Sequence, residues 1–237
     1  MRYLQRLPPV LRVERESLLI SLTKGKIALH VGCVDSGLLD DRLFSGRFLH
    51  SELAQSAREL WGLDSDGGGI EKLRGLGFSR LLVGSAESPP AEIPRGYFDV
   101  VVAGELIEHL RNPGAFLDST LSLLGPGGLL VITTPNALRF YNPLTALSAR
   151  ELVHPDHLCW YSPYTLLRTV QAGKFKVTQV YVYAQAPLAS LRKSSVLEWP
   201  WRLIFNGCSW VVHNLAVRLF PYSADGLIVV ATPTTGS

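Results

Sequence analysis

The chain has 237 residues, of which 47% are hydrophobic and 18% are charged, so it can bury a large core and is not of the disordered class. Its 23 basic and 20 acidic residues are interspersed and leave a net charge of +3, which argues against a broad basic surface for nucleic acid. The three cysteines, Cys33, Cys159 and Cys208, are far apart, so neither a disulfide framework nor a paired-cysteine zinc site is expected. Charged residues from Arg12 to Glu16 interrupt any apolar leader, and we expect a cytoplasmic protein.

Buried strands and helices alternate along most of the chain. Short apolar runs that end in glycine or aspartate are typical of parallel strands buried on both faces, and the segments between them have helical periodicity. In the second half, Ser162 and Pro163 begin a helix that ends at about Ala172, before Gly173. The predicted strands are Ile27–Val31, Leu60–Leu63, Arg80–Val83, Phe98–Ala103, Leu129–Thr133, Phe175–Tyr183 and Gly226–Ala231, and the predicted helices are Gly69–Leu76, Glu105–Leu110, Ala115–Leu124 and 163–172.

This alternation predicts a doubly wound, mostly parallel α/β sheet in one domain over residues 1–237, with ligands bound at the carboxyl ends of the strands. The last two strands are separated by an insertion at residues 187–221, which we predict to be helical and which contains Trp199, Trp201 and Trp210. Its apolar part, residues 203–217, is too short and too polar to span a membrane. Three roles stay open for it: a cap over an acceptor pocket, a homodimer surface, or a helix flanked by Arg202 and Arg218 that lies on a membrane.

Several polar groups fall at the predicted carboxyl edge of the sheet. Asp64, in WGLDSD, follows a strand, where a carboxylate can accept hydrogen bonds from both hydroxyls of a ribose; an ordinary turn aspartate is the alternative. In FDVVVAGELIEHL, three residues that follow a strand are spaced as on one helical face: Glu105, Glu108 and His109.

Two further stretches belong to the same edge. The Pro-Gly-Gly turn in LGPGGLLVITTPN ends one helix and begins a strand whose last residues, Thr133 to Asn136, lead into the edge. The segment HPDHLCWYSPYTL places His154, Asp156 and His157 in a loop that we expect near it.

In this order, the motifs resemble those of the class I S-adenosylmethionine-dependent methyltransferases. ALHVGCVDSG stands at the glycine-rich first motif, GLDSD at the ribose position, FDVVVAGELIEHL after strand four and LGPGGLLVITTPN at strand five, over residues 26 to about 184. The resemblance implies a seven-stranded Rossmann-like sheet with one antiparallel strand, and S-adenosylmethionine as the cofactor. It also implies cofactor contacts from Gly32, Cys33, Asp64, Ser65, Ser85, Ala86, Ala103 and Gly104.

The first motif departs from the family pattern. His30 stands where the family usually has an acidic residue, and Val34 and Ser36 stand near positions of family glycines; a β-carbon at Val34 is expected to narrow the approach to a ligand. Asp35 is a candidate replacement for the missing carboxylate. Ser85 stands where the family often has an aspartate. The step from Val31 to Asp64 covers 33 positions (64 minus 31), against about 20 in a dinucleotide-type unit, so the first crossover is long.

For the chemistry, the candidate general bases are His109 and His157, because an unperturbed imidazole titrates near neutral pH. The pattern also resembles the E-x-x-E-H and later histidine of small-RNA 3′-terminal 2′-O-methyltransferases and of ubiquinone-pathway O-methyltransferases. By that resemblance Glu105, Glu108, His109 and His157 form a Mg²⁺ or Mn²⁺ site, although we do not expect a metal here.

The sequence therefore predicts a methyltransferase that acts on a hydroxyl oxygen of a small molecule or glycan. Two alternatives stay open: a catalytically silent member of the fold that serves as an interaction module, and a metal-assisted 2′-O-methyltransferase of RNA ends. Nucleic acid is not the expected partner, because the only short basic pair is Arg192 and Lys193. A dehydrogenase is disfavoured because the GxGxxG fingerprint is absent.

Overall fold

The computed structural model describes residues 3–147, 149–184 and 211–234. Eight strands form one sheet in the order β1-β7-β8-β6-β5-β2-β3-β4, and β8 alone runs antiparallel to its neighbours. The strands are β1 Leu11–Arg12, β2 Ile27–Val31, β3 Glu59–Asp64, β4 Leu81–Val83, β5 Phe98–Gly104, β6 Leu124–Pro135, β7 Phe175–Tyr183 and β8 Gly226–Pro233. The helices are α1 Arg15–Thr23, α2 Leu39–Ser45, α3 Leu49–Ser56, α4 Gly67–Gly75, α5 Pro113–Leu123, α6 Tyr141–Ala146 and α7 Pro163–Ala172. Residues 211–219 are also helical.

The α/β fold class is confirmed. Six of the seven predicted strands lie within two residues of their predicted bounds, and the seventh, β6, begins at Leu124 rather than Leu129. The eighth strand, β1, has two residues and pairs with the edge of β7, so no local pattern in the sequence could indicate it. The long first crossover is occupied by two short helices, α2 and α3, which were not predicted. The Pro-Gly-Gly turn falls inside β6, whose register with β5 is irregular there.

The prediction of a helix over Glu105–Leu110 is wrong. Glu105 has a φ of +52°, which lies in the left-handed region, and only Ile107–His109 form a single 3₁₀ turn. The carboxylates of Glu105 and Glu108 therefore do not project from one helical face.

Helices cover both faces of the sheet because strand side chains alternate between them. On β5, Val101 and Ala103 pack in the core cluster that contains Phe116 of α5 and Leu166 of α7. The intervening Val102 packs in the cluster that contains residues of α1 and α3. All three β5 side chains are fully buried, so the strand ends are held rigidly where a ligand would meet them.

The insertion is described only in part. Residues 211–219 are helical as predicted, whereas residues 187–210, with Trp199, Trp201, Arg202, Cys208 and Trp210, lie outside the described residues. Within the part of the chain that the structure describes, no helix is both long and apolar enough to cross a membrane.

Candidate functional site

The carboxyl ends of β2 and β5 lie side by side. Val31 is in register with Ala103, so Gly32 and Gly104 leave the sheet as neighbours. Gly32 has a φ of +75°, its N–H donates to the carbonyl of Leu63 at 2.8 Å, and a β-carbon on it would lie 3.2 Å from Leu106. The positive φ and the close approach to Leu106 therefore favour a glycine at this turn, which follows β2 at the carboxyl edge of the sheet.

Asp64 is oriented by backbone donors at the end of β3. Its Oδ2 accepts from the N–H of Val34 at 2.9 Å, and its Oδ1 accepts from the N–H of Asp66 at 2.9 Å. A carboxylate has about four acceptor positions, so each oxygen keeps capacity for a further donor. This geometry suits two ribose hydroxyls.

Val34 does not obstruct the cleft in the way that the sequence suggested. Its side chain is fully buried, and a β-carbon on Gly69 of α4 would lie 2.1 Å from its Cγ1. It is not among the residues with positive φ, whereas the next residue, Asp35, has a φ of +58°. Asp35 forms an ion pair with Arg42, with Oδ2 2.9 Å from Nε, so its carboxylate is already engaged.

The other proposed cofactor contacts fall into two groups. Cys33 and Ala103 are fully buried, so only their backbone could reach a cofactor, while Ser65 is exposed beside Asp64. Ser85 is exposed after β4, and its Oγ accepts from the N–H of Glu87 at 3.1 Å, which leaves the hydroxyl hydrogen for another acceptor. Ala86 is buried beside it, at 9% exposure.

His30 forms a buried pair with His50 of α3. The two Nδ1 atoms lie 3.2 Å apart and the rings are stacked. Burial lowers the pKa of His50 to about 4, and burial together with His50 and Arg15 lowers the pKa of His30 well below its ordinary value. Both imidazoles are therefore neutral at neutral pH, and one donates its Nδ1–H to the other.

A charged network that the sequence did not reveal lies behind Gly104. Arg15 is buried and donates from Nε to Thr133 Oγ1 at 3.1 Å, and that hydroxyl donates to Glu105 Oε1 at 3.0 Å. Tyr183, at the end of β7, donates to the same oxygen at 2.5 Å. The sequence shows Arg15 only as a charge near the N-terminus, since Thr133, its partner in this network, is 118 positions away.

Glu108 is a buried carboxyl with one oxygen unsatisfied. It is 1% exposed, Thr134 donates to its Oε2 at 2.9 Å, and no described residue bonds to its Oε1. Burial, together with the charge of Glu105, raises the pKa of Glu108 to about 8. A buried polar atom without a partner is costly, so Oε1 is suited to a ligand.

Three of the four proposed metal ligands converge on this carboxyl. One ligand atom each from Glu108, His109 and His157 lies within 4.8 Å of the others, whereas Glu105 is not part of the group because its carboxylate is turned toward Tyr183. His109 Nδ1 lies 3.2 Å from the carbonyl of Asp156, which fixes the proton on Nδ1 and leaves the Nε2 lone pair available.

The loop holding His157 is attached directly to this group. The N–H groups of Leu158 and Cys159 donate to the carbonyl of Glu108 at 2.8 and 3.1 Å. These bonds place the HPDHLCWY segment near the carboxyl edge of the sheet, where the sequence predicts it. Burial and the neighbouring histidines lower the pKa of His157 to about 4, so its imidazole is neutral and can ligate a cation.

Aromatic and charged side chains border the same edge after β6. Arg139 lies over the Trp160 ring with its Cζ 5.4 Å from the ring centre. His213, at 3% exposure, is hydrogen-bonded through Nε2 to Asp225 at 3.0 Å and stacks on Tyr141.

The chain resembles known methyltransferases along most of its length. A family model described as a methyltransferase domain matches residues 44–180, which is more than half of the chain. A probable S-adenosylmethionine-dependent methyltransferase of Mycolicibacterium smegmatis is 31% identical over 104 residues, which is 42% of this chain and 40% of that protein. A ubiquinone biosynthesis O-methyltransferase of Rhodopseudomonas palustris is 41% identical over 118 residues, which is 47% of each chain.

The fold agrees with these similarities. The crystal structure of a SAM-dependent methyltransferase from Archaeoglobus fulgidus superposes with a TM-score of 0.58 at 19% identity, over 92% of this chain and 90% of that one. The aligned regions span less than half the length of the two curated relatives from Mycolicibacterium and Rhodopseudomonas. The family model, the relatives and the fold place this chain in the class I S-adenosylmethionine-dependent methyltransferase family.

Proposed function

We propose that this protein methylates a hydroxyl oxygen of a small-molecule or glycan acceptor. When bound, S-adenosylmethionine would supply an electrophilic methyl group, whose carbon bonds to the acceptor oxygen as its bond to sulfur breaks and S-adenosylhomocysteine leaves. The observation that carries the proposal is the group formed by Glu108, His109 and His157 at the carboxyl edge of the sheet. A hydroxyl must lose its proton as it is methylated, and this group offers imidazole nitrogens that could accept the proton.

The two histidines differ in what they can do. His109 keeps its Nε2 lone pair free because its Nδ1 faces the carbonyl of Asp156, so it is the better proton acceptor. His157, with its pKa lowered to about 4 by burial, is a weak base and serves better to orient the acceptor or to hold a cation. The ubiquinone biosynthesis O-methyltransferase relatives support oxygen as the methylated atom.

A metal-assisted form of the same reaction is the second candidate. The unsatisfied Oε1 of Glu108 and the two imidazoles fit a divalent cation with open coordination positions, and Glu105 does not complete the set. When bound, such an ion would lower the pKa of an acceptor hydroxyl. Two imidazoles and one carboxylate suit Mn²⁺, Fe²⁺ or Zn²⁺ better than Mg²⁺, which prefers oxygen ligands.

Methyl transfer from tritiated S-adenosylmethionine tests the proposal. The acceptors are 3,4-dihydroxybenzoate, a neutral oligosaccharide and the small-molecule fraction of a deproteinised cell extract, each with and without Mn²⁺. We expect label in an alkali-stable ether, and loss of that label in a His109→Ala variant that still binds S-adenosylhomocysteine. Binding of S-adenosylhomocysteine without transfer to any of these acceptors would favour the silent interaction module instead.

A further inference from the structure

The first motif has no acidic residue at position 30, and the backbone of a nearby glutamate, Glu105, follows the strand that pairs with β2. His30 is buried and paired with His50, so its ring is closed to a ligand. Glu105 follows Gly104 directly, and Gly104 is the neighbour of Gly32 across the β2–β5 register. The backbone of Glu105 therefore lies at the mouth of the first motif, and its carboxylate is not part of the metal-ligand group.

Glu105 is held in a way that leaves one oxygen open. Its Oε1 accepts from Thr133 Oγ1 at 3.0 Å and from Tyr183 at 2.5 Å, while no described residue donates to its Oε2. The side chain is only partly buried. Two donors to Oε1 fix the side-chain rotamer of Glu105. The position of Oε2 is therefore set before any ligand binds.

The backbone of Glu105 is also constrained. Its N–H donates to both the carbonyl and the hydroxyl of Thr133, at 3.0 and 3.1 Å, and its φ of +52° is one that a residue with a β-carbon adopts only when its surroundings impose it. Arg15 lies behind it, joined through the same Thr133 hydroxyl, and balances its charge. The carboxylate of Glu105 lies near this buried guanidinium, and its Oε2 has no protein donor among the described residues. Such a carboxylate can bind a cationic group.

We propose that Glu105 is the counter-ion for the α-ammonium group of S-adenosylmethionine, in place of the acidic residue that is absent at position 30. This inference rests on cofactor binding at the Gly32 and Asp64 edge. It separates the two glutamates: Glu105 binds the amino-acid end of the cofactor, and Glu108 faces the acceptor.

Isothermal titration with three ligands tests the assignment. S-adenosylhomocysteine contains the ammonium group, its deaminated analogue lacks only that group, and 5′-methylthioadenosine lacks the whole amino-acid end. The Glu105→Gln substitution keeps the shape of the side chain and one oxygen that can accept hydrogen bonds, but it removes the negative charge. Glu16→Gln is the matched control, because Glu16 also contacts Arg15, through Nη1 at 3.1 Å, but lies on α1.

We expect Glu105→Gln to weaken S-adenosylhomocysteine binding by about 10- to 100-fold, the range of one charge-assisted hydrogen bond, and to leave 5′-methylthioadenosine unchanged. The native protein should bind the deaminated analogue correspondingly less tightly, which tests the ammonium contact even if the variant does not fold. Equal affinity of the native protein for the parent and deaminated ligands would overturn the inference, as would equal losses for all three ligands in the variant. No binding of any ligand by the native protein would instead overturn the proposed function.

Discussion

Val34 and Gly69 are a complementary pair at the first motif. The buried isopropyl group of Val34 occupies the space that a β-carbon on Gly69 would need, since the two would lie 2.1 Å apart. The bulk that replaces a family glycine is therefore directed into α4 and away from the cleft, while the N–H of Val34 still donates to Asp64 at 2.9 Å. The pair explains how a first motif with few glycines can keep an open cofactor edge.

Replacing Gly69 by alanine should destabilise the protein by about 1–3 kcal/mol, because overpacking against Val34 outweighs the gain in helix propensity. Gly75 is the matched control in the same helix: a β-carbon there would project into open space, so Gly75→Ala should be neutral or slightly stabilising. Urea unfolding of both variants measures the difference. The complementarity would be refuted by equal stability of the two, and Val34→Ala should partly restore Gly69→Ala.

Acid should weaken the fold through the His30 and His50 pair. The unfolded chain takes up protons below about pH 6.5, whereas folded His50 stays neutral until about pH 4, so the free energy of unfolding falls as the pH is lowered between these values. The contribution of His50 alone is on the order of 3 kcal/mol across this window, because each pKa unit is worth about 1.4 kcal/mol.

The measurement is the free energy of unfolding from pH 7 to pH 4 for the native protein and for His50→Phe. The variant keeps a flat ring against Phe48 and Phe78 and should have a slope shallower by about 1.4 kcal/mol per pH unit. Comparing the two slopes cancels the opposite contribution of Glu108, whose raised pKa makes the fold lose stability as the pH rises from 4.5 to about 8. Parallel curves would show that the pair does not titrate as proposed.

The two glutamates should differ in metal binding. Glu108→Gln should lower the affinity for Mn²⁺ by at least about tenfold, because an amide cannot ionise, whereas a cation can displace the proton that Glu108 holds below its pKa of about 8. Glu105→Gln should leave the affinity nearly unchanged, because its carboxylate is bonded to Thr133 and Tyr183. Mn²⁺ electron paramagnetic resonance titration gives both values. Equal losses of Mn²⁺ affinity in the two variants would show that Glu105 is a metal ligand together with Glu108, His109 and His157. An absence of Mn²⁺ binding by the native protein would favour catalysis by His109 without a metal.

The histidines should affect turnover more than cofactor affinity. His109→Ala should reduce kcat by about 10² to 10⁴ if its imidazole accepts the acceptor proton, with the Kd for S-adenosylhomocysteine unchanged. His154→Ala is the control, since His154 lies in the same loop cluster, 6.1 Å from His109 between ring centres, but outside the metal-ligand group. A similar loss in both variants would point to a structural role for the loop.

The sequence predicted the sheet well because apolar runs such as FDVVVA and LLVIT carry a local signal for buried strands. It also placed Asp64 and His157 at one edge, because the carboxyl ends of parallel strands must meet there. The predicted helix at Glu105 failed for a physical reason: the i, i+3, i+4 spacing is local, whereas the φ of +52° is imposed by Thr133, 28 positions away.

The groups that distinguish this chain from its family depend on long-range contacts. His30 meets His50 across the first crossover, and Arg15 reaches Thr133 and Glu105 from the N-terminal helix. None of these pairs has a periodic signature. The sequence shows the bulk of Val34 but not the direction of its side chain, so it predicts an obstruction that the structure does not contain.

Binding of S-adenosylhomocysteine by the native protein and by Asp64→Ala, measured by isothermal titration, tests the central claim most directly. Both oxygens of Asp64 are aligned by backbone donors at the edge where Gly32 and Gly104 meet. We expect a clear binding heat for the native protein and its loss in Asp64→Ala, with Ser36→Ala as a nearby control that keeps binding. The absence of binding heat and of any thermal shift in the native protein would contradict the account.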